Sequence, residues 1–209
     1  MISLSDAQIT ETLEPYGFSP PSQIITAIRT YIELLLKWNR TISLSAVVDV
    51  DEILRFHFGE SLLVLPMLPV EKSRLADVGS GAGFPGIPIA MASRSLHVTL
   101  IESNTKKCAF LNEVIRELKL PNVSVLHARM EDTDVTDERF DIVTARAVGN
   151  FEGLLRWTRK VITSRGRVVL WLGDRDAAKR SADSRWKWTS PNAIPGSQRR
   201  YILVGYPIC

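Results

Sequence analysis

The residues best placed to do chemistry lie in Asp77-Val78-Gly79-Ser80-Gly81-Ala82-Gly83-Phe84-Pro85-Gly86, a glycine-rich run between a strand-like and a helix-like segment. Glycines at such a turn permit positive φ and let a ligand approach the backbone closely. Ligands in open α/β sheets bind beyond the carboxyl ends of the strands, so the run points to a nucleotide-like small molecule. Two ligand classes compete for it. Gly81 to Gly86 formally satisfies G-x-G-x-x-G, as in a dinucleotide site, while Asp77 through Gly83 reads D-x-G-x-G-x-G. Glu102, closing the next strand segment, is the acid expected to hold a ribose diol in either class. Pro85 and Pro88 lack donor N–H groups, which makes the helix start a poorer cradle for pyrophosphate. Two further segments join the loop. Leu126-His127-Ala128-Arg129-Met130-Glu131-Asp132 follows the third strand segment, and its apolar group followed by an acid could flank an adenine ring; a capped loop is the plainer alternative. Arg146 ends the fourth strand segment and offers a planar donor fork for a phosphate or for the acceptor edge of a guanine.

These residues need elements to position them. The first 70 residues read as helices: Ser5-Asp6 caps a short segment that stops near Pro15-Tyr16-Gly17. A second helix starts at Ser19-Pro20-Pro21-Ser22 and carries Ile24, Ile25, Ile28, Tyr31, Ile32, Leu35 and Leu36 on one face. A third runs from about Asp49 to Val64. Three short helices bury little surface alone, so residues 1–72 are expected to form a cap. From residue 73 strands alternate with helices: Arg74–Val78, His97–Ile101, Val123–Leu126, Phe140–Ala145 and Gly166–Leu172 as strands, with helices at Ile87–Ser93, Thr105–Lys119 and Phe151–Ile162. That alternation predicts an α/β domain over residues 73–209, a mostly parallel Rossmann-like sheet covered on both faces. Trp186-Lys187-Trp188-Thr189 and Tyr201-Ile202-Leu203-Val204 read as an antiparallel closing hairpin.

Composition narrows the class. The chain has 209 residues, 45% hydrophobic and 23% charged, which excludes a disordered or fibrous protein. The apolar run from Leu62 to Val70 is broken by Pro66 and Pro69, so no membrane span is expected. Neither a signal peptide at the N-terminus nor a disulfide or metal framework from Cys108 and Cys209 is expected, and a cytoplasmic setting fits. Charge is uneven: residues 1–72 hold 5 basic and 9 acidic side chains (−4), 73–150 hold 9 and 10 (−1), and 151–209 hold 12 and 4 (+8). The last quarter would attract a polyanion. Arg156, Arg159, Lys160, Arg165, Arg167, Arg175, Lys179, Arg180, Arg199 and Arg200 could track the phosphates of such a polyanion, several of them being merely solvated. Trp186, Trp188 and Tyr201 could stack bases but read first as hairpin core. His57, between Phe56 and Phe58, reads first as a packed, hydrogen-bonded residue, with an acid–base role in the cap as the alternative.

The pattern Asp77-x-Gly79-x-Gly81-x-Gly83 resembles the cofactor loop of class I S-adenosylmethionine-dependent methyltransferases, which would place Asp77 near the cationic, amino-acid end of that cofactor. Nearly the whole chain further resembles the bacterial 16S rRNA (guanine-N7) methyltransferase G family, also called the glucose-inhibited division protein B family. The likeness rests on Lys37-Trp38-Asn39, on His57 to Leu62, on Asp77 through Pro88, on Lys106-Lys107 with Phe110-Leu111, on Leu118-Lys119-Leu120, on Arg129 with Glu131, and on Arg146-Ala147. The resemblance implies methylation of N7 of one guanine in the decoding-centre region of 16S rRNA, with the small ribosomal subunit as partner and the enzyme a monomer without metal. It implies cofactor contacts at Gly79, Phe84, Met130, Glu131 and Arg146, to which the residues themselves add Asp77, Gly81, Gly83 and Glu102; Phe84 has a core aromatic as its alternative. Arg146 is also expected to take the catalytic part, orienting the guanine or its phosphate. The chain departs from the family pattern with Ser43-Leu44-Ser45 after the Trp-Asn, Glu60 for the usual Asp, and Leu172 for a usual Lys. Alternative readings are a methyltransferase acting on another RNA or a small molecule, and a cofactor-binding scaffold without turnover.

Overall fold

The computed structural model describes residues 4–69, 72–133 and 139–208. Helix α1 (Asp6–Leu13) begins with a reciprocal cap, in which the Ser5 hydroxyl accepts from the Gln8 amide and the Gln8 side chain accepts from the Ser5 amide. Helix α2 (Ser22–Asn39) turns Ile25, Ile28, Tyr31, Ile32 and Leu35 inward along one stripe. The third expected helix is present but not uniform. After the Asp49 cap come α3 (Val50–Ile53), a π-helical turn (Leu54–Gly59) and α4 (Glu60–Leu62). The widened turn buries His57 and Phe58 together, and Gly59 sits against the Tyr16 ring, where a Cβ would meet it at 2.6 Å.

The sheet comprises β1 (Ser73–Val78), β2 (Leu96–Glu102), β3 (Val123–His127), β4 (Phe140–Arg146), β5 (Ile162–Gly173), β6 (Trp186–Trp188), β7 (Asn192–Ala193) and β8 (Arg200–Pro207). Its order is β3-β2-β1-β4-β5-β8-β6, with β3 through β5 parallel and β8 antiparallel to both β5 and β6. The hairpin of the sequence reading is therefore real, but β8 inserts between β5 and β6. Helices α5 (Gly86–Ala92) and α6 (Thr105–Glu117) follow β1 and β2, and α7 (Phe151–Val161) follows β4. Helix α8 (Asp174–Ser181) has no counterpart in the sequence reading, because it buries only Ala177 and Arg180 and so shows no apolar period.

One continuous core joins the cap to α5, α6 and their face of the sheet, through Ile28, Tyr31, Phe58, Ile87, Leu100, Phe110 and Leu111. A second core lies under α7, where Leu154, Leu155 and Trp157 pack on Val143, Val168 and Leu170. Among the described residues, coverage of both faces is incomplete. Between β3 and β4 the described residues contain a 3-10 turn (Met130–Asp132) and no α-helix, so His97, Thr99 and Ser124 line a groove of about 870 Å³. Among the described residues no helix is long and apolar enough to cross a membrane.

Phe110 is fully buried, with its ring 6.3 Å from Tyr31 and 5.8 Å from Trp38 across the cap junction. Phe110→Ala is expected to cost about 3–5 kcal/mol, as for other buried aromatics, within one unfolding transition. Tryptophan fluorescence and far-UV circular dichroism should then give the same lowered midpoint. Separate transitions for the two probes would contradict a shared core.

Candidate active site

The glycine loop is built on a buried carboxylate. Asp77, next to last in β1, accepts through Oδ2 from the Gly86 amide (3.1 Å) and through Oδ1 from the Thr144 hydroxyl (2.8 Å) of β4. The Ser80 hydroxyl donates to the Asp77 carbonyl (2.8 Å), and the Gly79 and Ser80 amides reach the Ile101 carbonyl of β2 at 2.9 and 3.2 Å. Gly79, Gly81 and Gly83 take φ of 69, 57 and 88°, which side chains bearing a Cβ rarely adopt. Burial pushes the Asp77 carboxyl up to about 6, against the opposing pull of its hydrogen bonds from Thr144 and Gly86.

A cavity of about 460 Å³ opens at the carboxyl ends of the four strands β1 to β4. It lies where the strand order reverses between β1 and β4, the usual ligand position of such sheets. Glu102, at the end of β2, lines it; Oε2 accepts from the Gly81 amide (2.9 Å) and Oε1 from the Asn104 amide (2.8 Å), leaving acceptor capacity on both oxygens. Ile101, Met130 and Val148 supply apolar walls, and Glu131 and Asn150 lie at the rim. Ala147, just after β4, holds φ of 57°, an uncommon conformation for alanine and one that recurs at functional turns. Among the described residues lining the cavity, Arg129 is the one cation, against the carboxylates Glu102 and Glu131. An acid for a ribose diol, apolar walls for a purine and a bare Gly79 backbone fit an adenosine-bearing ligand; the charge balance disfavours a pyrophosphate.

Of the residues singled out in the sequence, Gly79, Glu102, Met130 and Glu131 line this cavity, and Gly81 is tied to it through Glu102. Asp77, Gly83, Phe84 and Arg146 do not line it. Asp77 is 1% exposed, with both carboxylate oxygens engaged by Gly86 and Thr144. The Phe84 ring is buried between Tyr31 (5.1 Å, interplanar 9°) and His57 (4.6 Å, 22°). Ser103, Val148, Gly149 and Asn150 belong to the walls and were missed. Their one sequence signal was position, directly after the ends of the second and fourth strands.

Arg146 faces the cap. Its Nη1 donates to the Phe56 carbonyl (2.6 Å) and its Nη2 to His57 Nδ1 (2.8 Å), with Glu60 Oε2 3.8 Å from Nη1. His57 Nδ1 is therefore an unprotonated acceptor, and Nε2 donates to Ser45 Oγ (2.7 Å). Burial first, then the Arg146 charge, lowers His57 to about 4, so it stays neutral at physiological pH and is a packed, hydrogen-bonded residue. Burial raises the Glu60 carboxyl while Arg146 and Arg200 oppose the rise; Glu60 also pairs with Arg200, whose guanidinium lies 4.6 Å from the Phe56 ring centre. Leu172 is buried in the core under α7. Arg159, Arg167, Arg180 and Arg200 are engaged in structural contacts, whereas Arg156, Lys160, Arg165, Arg175, Lys179 and Arg199 are exposed. Trp186 is core, and Trp188 and Tyr201 are half-buried.

Folding raises the Asp77 pKa from 3.8 to about 6, so its protonated form is favoured in the native state. That contribution to stability is full below the unfolded value and is lost as pH rises through the folded one. Relative to Asp77→Asn, the wild type is expected to lose stability between about pH 4 and 6, by at most about 3 kcal/mol, in urea unfolding midpoints. A difference independent of pH across that range would contradict the assignment.

Comparison with known proteins places the chain. The model of the family described as rRNA small subunit methyltransferase G matches residues 24–194. The protein named ribosomal RNA small subunit methyltransferase G of Pseudomonas entomophila is 36% identical over 178 residues, covering 83% of this chain and 82% of that one. Its namesake in Chromobacterium violaceum is 34% identical over 172 residues, covering 82% and 81%. Among solved structures the fold is similar to a SAM-dependent methyltransferase from Aquifex aeolicus, with TM-score 0.63 and 15% identity over 75% of this chain and 93% of that one. It is also similar to precorrin-6y C5,15-methyltransferase from Geobacter metallireducens, with TM-score 0.59 and 15% identity over 79% and 91%. The chain belongs to the rRNA small subunit methyltransferase G family and is Rossmann-like in fold.

Proposed function

We propose that the protein methylates N7 of a single guanine in 16S rRNA of the small ribosomal subunit, with residues 73–209 as the catalytic unit and residues 1–72 as a cap upon it. The observation that carries this reading is the acid-lined cavity at the carboxyl ends of β1 to β4 in a member of this family. In it Glu102 holds the ribose diol, Met130 and Glu131 flank the adenine, and the Gly79 and Gly81 backbone lies along the ligand. Asp77, Gly83 and Phe84 act by fixing the loop. When bound, the cofactor supplies a methyl group on an electrophilic sulfonium centre.

Guanine N7 carries a free lone pair at neutral pH, so its attack needs no general base. The protein's task is then alignment and a suitable electrostatic environment. A neutral, buried His57 agrees with that division of labour. Arg146 uses one N–H on Phe56 and one on His57, which leaves donors for the guanine edge or a neighbouring phosphate. The exposed cations Arg156, Lys160, Arg165, Arg175, Lys179 and Arg199 supply the non-specific grip on RNA.

The test is transfer of a labelled methyl group from S-adenosylmethionine to small subunits and to naked 16S rRNA, both lacking the modification, with the labelled base mapped by cleavage at 7-methylguanine. Label at one guanine N7 is expected. No label, with cofactor binding intact, would overturn the proposed activity. Glu102→Gln is expected to raise KM for S-adenosylmethionine about tenfold or more, since a charge-assisted pair is lost. Neutralising Arg175 and Lys179 together should reduce the slope of log affinity against log salt by about 2. RNA affinity without salt dependence would remove these residues from the RNA path.

A further inference from the structure

The glycine loop is gripped from the cap. Tyr31 of α2 is fully buried, and its hydroxyl donates to the Ala82 carbonyl at 2.5 Å. Its ring lies nearly parallel to Phe84, Phe84 stacks on His57, and His57 accepts from Arg146. One column of side chains thus links the loop after β1 to the residue that ends β4. Gly83 lies directly against the phenol; a Cβ there would collide with the Tyr31 hydroxyl and with Ile87.

We propose that Tyr31 is a positioning residue for the cofactor, acting through the Ala82 peptide on the loop whose backbone faces the cavity. The inference rests on reading that cavity as the cofactor site. Three glycines within five residues make the loop costly to order, because each has much conformational freedom to lose. An anchor fixed before the ligand arrives removes part of that cost from binding. The Tyr31 hydroxyl is such an anchor: burial, and then the Asp77 charge, keep it protonated, so it remains a donor throughout the physiological range. Tyr31 does not line the cavity, so its effect on the cofactor passes through the loop.

Tyr31→Phe keeps the stacked ring and deletes only the donor. Calorimetry with S-adenosylhomocysteine on the full chain should show Kd raised about five- to tenfold, the scale of one lost buried hydrogen bond. KM for S-adenosylmethionine should rise by the same factor while kcat and KM for the RNA stay unchanged. In the free protein, hydrogen exchange at the Gly83 amide, which donates to the Ser80 carbonyl at 2.7 Å, should accelerate. Failure of the wild type to bind S-adenosylhomocysteine would overturn the reading of the cavity, whatever Tyr31 does. Wild-type binding with unchanged Kd and exchange in Tyr31→Phe would overturn the positioning role, and a lowered Tm with unchanged Kd would make Tyr31 a core residue only.

Discussion

A carboxylate almost closed to water sits where β1 hands over to the glycine loop, and it can stay there only because two donors meet it. Without Gly86 N–H and the Thr144 hydroxyl, Asp77 would carry the desolvation penalty of a buried charge unrelieved. With them, one side chain ties the loop to the start of α5 and to β4, the strand on the other side of the switch point. The register Asp77↔Thr144 makes this possible, since it sets the two residues opposite each other in a parallel pair. The cavity follows from that constraint. Its walls are the loops after β1, β2, β3 and β4, and their separation is the separation of the strands that Asp77 helps to hold.

The cap is held by a second polar arrangement of the same kind. Glu60 is 2% exposed and meets Arg146 and Arg200, while Arg146 also binds Phe56 and His57. Removing one member of such a cluster leaves an uncompensated buried charge, so the set stands or falls together. The shared core beneath it and the Tyr31–Phe84–His57 column pack the N-terminal helices directly against the glycine loop.

Much of this architecture was legible in the sequence because its signals are periodic or positional. The apolar stripe of α2 and the strand–helix alternation from residue 73 repeat at spacings that secondary structure dictates, and Glu102 at the end of β2 and Glu131 in the turn after β3 are marked by position. What escaped depends on contacts between distant residues. The pairing of Asp77 with Thr144 and the enclosure of Phe84 by Tyr31 and His57 join residues far apart in the chain, which no local pattern announces. The π-helical turn around His57 and the polar helix α8 leave no apolar period, and the open face of β2 and β3 reflects the absence of a helix among the described residues between β3 and β4.

The most direct measurement is a structure of the protein with S-adenosylhomocysteine bound. The adenosine is expected in the 460 Å³ cavity, with its ribose hydroxyls hydrogen-bonded to Glu102, its base beside Met130 and the Asp77 contacts to Gly86 and Thr144 unchanged. A ligand seated in the groove lined by His97 and Thr99, or one that draws Asp77 away from Gly86 and Thr144, would contradict the view that a prebuilt loop at the carboxyl ends of the strands holds the cofactor.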